Sequence, residues 1–244
     1  MPVKKEEYFP ILSHKHGIKV YAWGKNKDEM FWPTLHKNSI RGSGIDGNEI
    51  VIIDENYERL PNPQKGVQAF ITAEKYVPIG FYVSDCLVIF IYDPYAHVLA
   101  AVHGGRDSLL NQNLDKTIKI MVEKFRKVKL KHLIVDVSPC ICKKCYTIDS
   151  KHFISLVKEH KGLLKDVISP TLPQDGCPEK QNSEFHEVHF DLWQLAKNQL
   201  DWIPEKNIAP PTHCTFSEEK LTSLRQKGKM PEKFESNLFL AMLV

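Results

Sequence analysis

The fold of the chain is decided by residues 81 to 105, which read FYVSDCLVIFIYDPYAHVLAAVHGG. Two apolar runs, one over 81–93 and one over 97–103, are rich in β-branched and aromatic residues and are separated by Pro94-Tyr95. Runs that are apolar on both faces are typical of strands covered on both sides in a layered α/β protein. They predict two antiparallel strands joined by a two-residue turn.

Further elements extend outward from this strand pair. Strands are predicted at 17–23, 49–54, 67–72, 133–137 and 237–244. Helices are predicted from Asp107 to Val128, from Asp149 to His160 and after Asp191, because apolar residues recur there at spacings of three and four. In the first of these helices Asp107 or Ser108 is expected to cap the N-terminus. Alternation of strands and helices without a low-complexity linker predicts one α/β domain over residues 1–244.

Composition excludes several classes of protein. The 244 residues include 33 basic and 30 acidic ones, a balance that gives no reason to expect nucleic-acid or membrane binding. No apolar run has the length of a transmembrane helix, and the first residues contain no apolar signal-peptide core. We therefore expect a cytoplasmic protein whose six cysteines are thiols or metal ligands rather than disulfides.

Cys86 and His103 form the first candidate site. A two-residue turn at Pro94-Tyr95 would place them directly opposite each other, with Cβ atoms roughly 4.5–5.5 Å apart. A thiol and an imidazole at that separation can share a zinc ion, or the imidazole can deprotonate the thiol to give a nucleophile. The alternative is that both are ordinary buried strand residues.

The residues after His103 favour a catalytic interpretation. Gly104 and Gly105 lie where the strand is expected to turn into a helix, so backbone amides there can approach an anion. Arg106 adds a planar donor for phosphate or carboxylate. We therefore predict Cys86, His103 and Arg106 as catalytic residues, and Gly104, Gly105 and Arg106 as phosphate-binding residues. Asp85, which should point to the opposite face from Cys86, is expected to have a structural role.

The stretch from Ser84 to Ser108 resembles the core signature of the laccase-domain (YfiH-type) family, an Asp-Cys strand followed by a strand that ends in His-x-Gly. Three later segments resemble further family blocks in the same order: VSPCICKKCY at 137–146, FDLWQLAKNQL at 190–200 and HCTFSEEKLTSLRQKGK at 213–229. The resemblance implies a layered α/β/β/α fold with mixed sheets.

The same resemblance implies a function. Members of this family are zinc-dependent purine nucleoside phosphorylases, so purine nucleoside and phosphate are the expected partners and zinc the expected cofactor. Phosphorolysis of adenosine, inosine and methylthioadenosine is implied, with adenosine deamination alongside. An older family label, copper-dependent polyphenol oxidase, would make copper the metal.

Residue by residue, the resemblance assigns Cys86 and His103 to two of the three zinc ligands. Asp46 stands where the family has its third ligand, a histidine, and His36 is the alternative if its loop folds back. Arg106 stands where the family has an aromatic residue, and Asp107 where it has arginine. The N-terminal part, residues 1–48, is shortened or divergent.

Three functions stay open at this point. The first is a zinc enzyme with Cys86, His103 and Asp46 as ligands. The second is a metal-free hydrolase or deamidase with Cys86 as nucleophile and His103 as base. The third is a catalytically silent protein that binds a purine or another protein. A C-x-C-x-x-C pattern at 140–145 is typical of metal ligands, but it lacks a second cysteine pair, and we predict no metal there.

Overall fold

The computed structural model describes residues 8–24, 35, 37–44, 47–149, 158–160, 162–170, 187–227 and 236–244. The strands in these ranges are β1 (Ile18–Trp23), β2 (Ile40–Gly42), β3 (Glu49–Ile53), β4 (Val67–Thr72), β5 (Ile79–Val83), β6 (Leu87–Asp93), β7 (Val98–Gly104), β8 (Ile134–Val137), β9 (Thr147–Asp149), β10 (Ile168–Pro170), β11 (Glu187–Phe190), β12 (Ile208–Ala209) and β13 (Asn237–Leu243). The α-helices are α1 (Arg106–Leu110), α2 (Asn113–Lys124), α3 (Leu192–Lys197) and α4 (Leu224–Lys227).

Two mixed sheets form the centre of the molecule. The larger has six strands in the order β12-β8-β6-β7-β4-β3, with parallel pairs at both edges and antiparallel pairs between them. The smaller has four strands in the order β1-β13-β5-β2, in which only the β2–β5 pair is parallel. A third, antiparallel sheet has the order β10-β11-β9. The α/β prediction with mixed sheets is confirmed.

The six-stranded sheet has a separate apolar core on each face. In β6, Leu87, Ile89 and Ile91 join the core that includes residues of α1, α2 and α3. The alternate residues, Val88, Phe90 and Tyr92, join the core shared with the four-stranded sheet. The layers are therefore helices, six-stranded sheet and four-stranded sheet, and the both-sided apolar pattern of β6 and β7 follows from this burial.

The segment before β1 is anchored in the core between the two sheets. Tyr8, Phe9 and Leu12 are buried there. Asp136, in β8, accepts hydrogen bonds from the backbone N–H groups of Ile11 and Leu12 at 2.9 and 2.8 Å. This segment thus connects the four-stranded sheet to the six-stranded one.

The prediction of one continuous strand over 81–93 is wrong. This stretch is divided at Ser84, Asp85 and Cys86 into β5 and β6, which belong to different sheets. At this link the chain leaves the four-stranded sheet and joins the six-stranded one. The predicted strands at 17–23, 49–54, 67–72, 133–137 and 237–244 are confirmed to within one residue at either end.

The predicted two-residue turn is also wrong. Asp93 pairs with Val98, so the turn has four residues, and Cys86 lies beyond the last ladder pair, Leu87 with Gly104. The Asp93 carboxylate accepts hydrogen bonds from the N–H groups of Tyr95 and Ala96, both at 2.9 Å, which stabilises the wider turn. The register shift is two residues, an even number, so it preserves which side chains share a face.

The helix predicted from Asp107 to Val128 is divided in two. Gln112 has a left-handed backbone with φ of 57°, which ends α1 and precedes α2. Neither Asp107 nor Ser108 is the N-cap of α1, since Gly105 occupies that position. The helix after Asp191 is confirmed as α3, capped by the Asp191 carboxylate on the Gln194 N–H.

Most of the helix predicted at 149–160 lies outside the described residues. None of the helices in the described part of the chain combines the length and apolar character needed to cross a bilayer. The single domain over 1–244 and the cytoplasmic location stay predictions.

Candidate active site

A cavity of about 430 Å³ opens where the link between β5 and β6 meets the end of β7 and the start of α1. Its lining combines a thiol, an imidazole, a guanidinium, amides and an aromatic ring. The lining residues are Gly44, Gly47, Asn48, Gln68, Cys86, His103, Gly105, Arg106, Asp107, Ser108, Asn111 and Tyr146. The volume lies within the ~300–1,000 Å³ typical of small-molecule sites.

His103 is held in one orientation by Gln68. The Nδ1 atom of His103 lies 2.7 Å from the Oε1 atom of Gln68, and both side chains are buried. An amide oxygen only accepts hydrogen bonds, so Nδ1 carries the proton and Nε2 keeps a lone pair. This is the arrangement in which a neutral histidine acts as metal ligand or base through Nε2.

Nε2 of His103 and the sulfur of Cys86 lie on the same side of the cavity, next to Gly105. A Cβ atom added to Gly105 would lie 3.1 Å from Nε2 and 3.3 Å from Sγ. A side chain at position 105 would therefore fill the space between the two ligand atoms. Glycine at this position keeps the space open, which is a requirement of the site rather than of the backbone conformation.

Burial makes both groups neutral in the metal-free protein. Burial raises the pKa of the Cys86 thiol to about 12, with Asp85 and Asp107 adding to the shift and Arg106 opposing it. Burial lowers the pKa of His103 to about 4, and the charge of Asp107 opposes this shift. A protonated thiol is a poor nucleophile, whereas a metal ion would deprotonate it outright.

Arg106 is partly exposed at the cavity wall, and its Nε donates to the Asp107 carboxylate at 2.9 Å. Burial alone would lower its pKa, but hydrogen bonds with Asp107 and Tyr146 outweigh burial and leave the pKa raised. The guanidinium is therefore a permanent cation beside the Cys86–His103 pair. It is suited to bind an anion that enters the cavity.

Asp85 has the structural role predicted for it. Its carboxylate accepts from the Thr215 hydroxyl at 2.7 Å and from the N–H groups of Leu224 and Arg225 at 2.9 and 3.2 Å. It thereby caps the first turn of α4 and fixes the chain around residue 215. All three hydrogen bonds come from residues far along the chain, and they converge on the residue next to Cys86.

The structure brings together most of the predicted site residues. Cys86, His103, Gly105 and Arg106 line one cavity, whereas Gly104 pairs with Leu87 inside the β6–β7 ladder and is absent from the lining. Asp46 and His36 lie outside the described residues.

Sequence reasoning missed Gln68, Asn48 and Tyr146. For Gln68 a signal existed, because it is the one polar side chain among the first five residues of an otherwise apolar strand, VQAFIT. Tyr146 had a weaker signal, its place in the Cys-Tyr element of a recognised family block.

The fold and the site together define a layered α/β protein with a cysteine–histidine cavity where β7 ends and α1 begins. The family model described as multi-copper polyphenol oxidoreductase laccase matches residues 26–232. The match covers most of the chain, which therefore belongs to this family.

Relatives with assigned names support an enzyme. A protein of Campylobacter jejuni named purine nucleoside phosphorylase is 26% identical over 200 residues, which cover 80% of this chain and 74% of the relative. One of Streptomyces coelicolor with the same name is 25% identical over 104 residues, 43% of this chain and 41% of the relative. A protein named adenosine deaminase, from an unknown prokaryote, is 22% identical and is covered over 62% of its length.

Solved structures show the same fold. The crystal structure of YlmD from Geobacillus stearothermophilus matches with a TM-score of 0.70 and 16% identity, covering 93% of this chain and 92% of the other. The crystal structure of the Bacillus licheniformis protein YfiH matches with a TM-score of 0.67 and 16% identity, covering 86% of this chain and 75% of the other. The sheet arrangement described above is therefore that of a known group of proteins.

Proposed function

We propose that the chain is a zinc-dependent purine nucleoside phosphorylase with its active site in the Cys86–His103 cavity. The observation that carries the proposal is the Nε2 atom of His103, presented by Gln68 beside the sulfur of Cys86. The names of two relatives add support for the reaction.

The described donors fit a zinc ion. A thiol and a neutral imidazole nitrogen are ligands that zinc prefers, and Gly105 leaves the space between them open. Asp46, at the family position of the third ligand, is the proposed third donor. Bound there, zinc would supply a Lewis acid and a means to activate a phosphate or water oxygen. The same donors also accept copper, so the identity of the metal is a matter for measurement.

The other cavity residues have roles that follow from their chemistry. Arg106 would hold phosphate, and its raised pKa keeps it charged. The Tyr146 ring offers a flat surface to a purine, and the Arg225 guanidinium lies 5.1 Å from the ring centroid. Asn48 and Asn111 place amide groups at the wall, where they can bind the edge of a base. Gln68 is a positioning residue, since it acts through His103.

The test is a phosphate-dependent assay with inosine and adenosine as substrates. We expect free base and ribose 1-phosphate in equal amounts, formed only when phosphate is present. Arg106→Ala should raise the KM for phosphate about tenfold or more, as expected for loss of a charged hydrogen bond worth ~1.5–3 kcal/mol. Metal content by mass spectrometry, with untagged protein, should fall in Cys86→Ala.

Gln68 provides a matched pair of variants. Gln68→Ala should lower zinc affinity about 10–100-fold, because the tautomer of His103 is no longer fixed. Gln68→Glu keeps an acceptor for Nδ1 and should retain zinc. Equal zinc affinity in all three proteins would contradict the proposed role of Gln68.

Adenosine deamination is the second candidate, favoured by the relative named adenosine deaminase. It would give inosine from adenosine without phosphate, so the same assay separates the two reactions. Absence of bound metal in wild type after incubation with zinc, with turnover abolished by alkylation of Cys86, would instead support the metal-free cysteine hydrolase. Purine binding without any turnover would indicate the silent binding protein.

A further inference from the structure

Three cysteines from two distant parts of the chain meet behind the active-site cavity. The sulfur atoms of Cys142, Cys145 and Cys214 all lie within 4.8 Å of one another, and each side chain is partly accessible to solvent. An isolated bridge between Cys140 and Cys214 aligns the two segments. The C-x-x-C part of the pattern was visible in the sequence, but its partner Cys214 lies about seventy residues further on.

One backbone hydrogen bond joins the two cysteine segments at a sulfur. The N–H group of Cys142 donates to the Cys214 sulfur at 3.3 Å, and such an N–H···S hydrogen bond favours thiolate over thiol. The N–H group of Cys145 donates to the Cys142 carbonyl oxygen at 3.0 Å, and that of Ser217 donates to the Cys214 carbonyl oxygen at 3.2 Å. These two hydrogen bonds close the turns that carry the ligands.

We propose that Cys142, Cys145 and Cys214 form a second, structural zinc site, separate from the Cys86–His103 cavity. Sulfurs bound tetrahedrally to one zinc at about 2.3 Å lie roughly 3.8 Å apart, so the three side chains need to close by about 1 Å at most. Among the described residues no further side-chain ligand joins the three, so a water molecule would complete the tetrahedron. Metal binding releases the protons that the thiols still carry.

The charge around the cluster suits a thiolate-rich metal centre. Three thiolates and a zinc ion carry a net negative charge, and Lys143 and Lys144 lie in the turn between two of the ligands. The positive charges of these two lysines therefore favour the ionised, metal-bound form of the cluster.

The position of the cluster gives the metal a function. Cys145 precedes Tyr146, which lines the cavity, and Cys214 precedes Thr215, which donates to Asp85 beside Cys86. A zinc ion that joins the two segments would therefore fix one wall of the active site. The inference does not depend on the proposed reaction, because any ligand in the cavity would meet the same wall.

The test uses the untagged full chain carrying Cys86→Ala, which removes the cavity ligand. Reduced, metal-free protein is incubated with zinc chloride, desalted and analysed for metal by mass spectrometry. We expect about one zinc per chain, lost when Cys214→Ser or Cys142→Ser is added. The matched control is Cys140→Ala, which removes a cysteine of the same segment that lies outside the group and should leave the zinc content unchanged.

A second measurement needs no substitution. Iodoacetamide labelling of the unmutated chain, read peptide by peptide, should fall at least tenfold at Cys142, Cys145 and Cys214 when zinc is present. Zinc-independent labelling at all three cysteines, or full zinc content in Cys214→Ser, overturns the proposal. Because the first experiment is done without Cys86, its outcome says nothing for or against the phosphorylase, and the two proposals can fail separately.

Discussion

Asp136 places a carboxylate inside the six-stranded sheet, where water does not reach it. Burial raises its pKa to about 6 from an ordinary value of 3.8, although backbone N–H groups including those of Leu12 and Ile11 oppose the shift. The folded protein therefore binds this proton more tightly than the unfolded chain does. Protonation of Asp136 therefore favours the folded state, and the unfolding free energy falls as the pH rises from about 4 to about 6.

The substitution Asp136→Asn tests this dependence. Asparagine keeps an oxygen that accepts hydrogen bonds from the N–H groups of Ile11 and Leu12, but its side chain cannot ionise. The variant should therefore lose the contribution of residue 136 to the pH dependence of stability. The difference in unfolding free energy between wild type and variant should change by up to about 3 kcal/mol between pH 4 and pH 6, the equivalent of a two-unit shift. Urea unfolding at a series of pH values measures it, and a difference that does not vary with pH would contradict the burial argument.

At the level of single residues, the sequence revealed the reactive residues of the site but not the residues that contact them. Cys86, His103, Gly105 and Arg106 are recognisable because their chemistry is rare and they cluster within 25 residues of chain. Gln68 is distant in sequence and reaches His103 only through the β4–β7 pairing, whose last register pair is Ala69 with Val102. Cross-strand pairs of this kind depend on sheet order, which a single sequence does not reveal.

Among the secondary-structure elements, the main feature that hydrophobic periodicity did not predict is the break between α1 and α2. Leu110, Leu114, Ile118 and Met121 are buried on one side as their spacing predicts, yet the helix is interrupted within that pattern. The side chain of Asn113 donates to Asn48 and to Ser108, at 3.1 and 3.3 Å. Hydrogen bonds of this type compete with helix continuity, and they are invisible to a hydrophobic pattern.

The backbone strain of this break is located at Gln112. This residue is exposed, and its φ of 57° costs a residue with a Cβ roughly 1–2 kcal/mol. Gln112→Gly should therefore raise the unfolding free energy by about 0.5–1 kcal/mol after the added entropy of the unfolded chain is deducted. Gln112→Val should lower it, and Gln112→Ala, which keeps the Cβ, is the control that should change it little. A Gly variant less stable than the Ala variant would refute the strain assigned here.

At the scale of the molecule, the six-stranded sheet is shared by both apolar cores. Neighbouring residues of β6 alternate between them, with Ile89 in the core under the helices and Phe90 in the core between the sheets. The two-faced burial explains why the central strands were recognisable from composition. The assignment of β5 and β6 to different sheets was not recognisable, because the link Ser84-Asp85-Cys86 contains no proline or glycine to mark the end of a strand.

Because both apolar cores share the six-stranded sheet, we expect the two cores to unfold together. Ile89→Ala should cost about 2–5 kcal/mol and Phe90→Ala about 3–5 kcal/mol, and each should shift the whole transition because β6 belongs to both cores. Thermal unfolding followed by circular dichroism and by tryptophan fluorescence should give coincident single transitions in wild type and in both variants. Two separate transitions, with Ile89→Ala moving one and Phe90→Ala moving the other, would show instead that the layers are independent units and that the single-domain prediction is wrong.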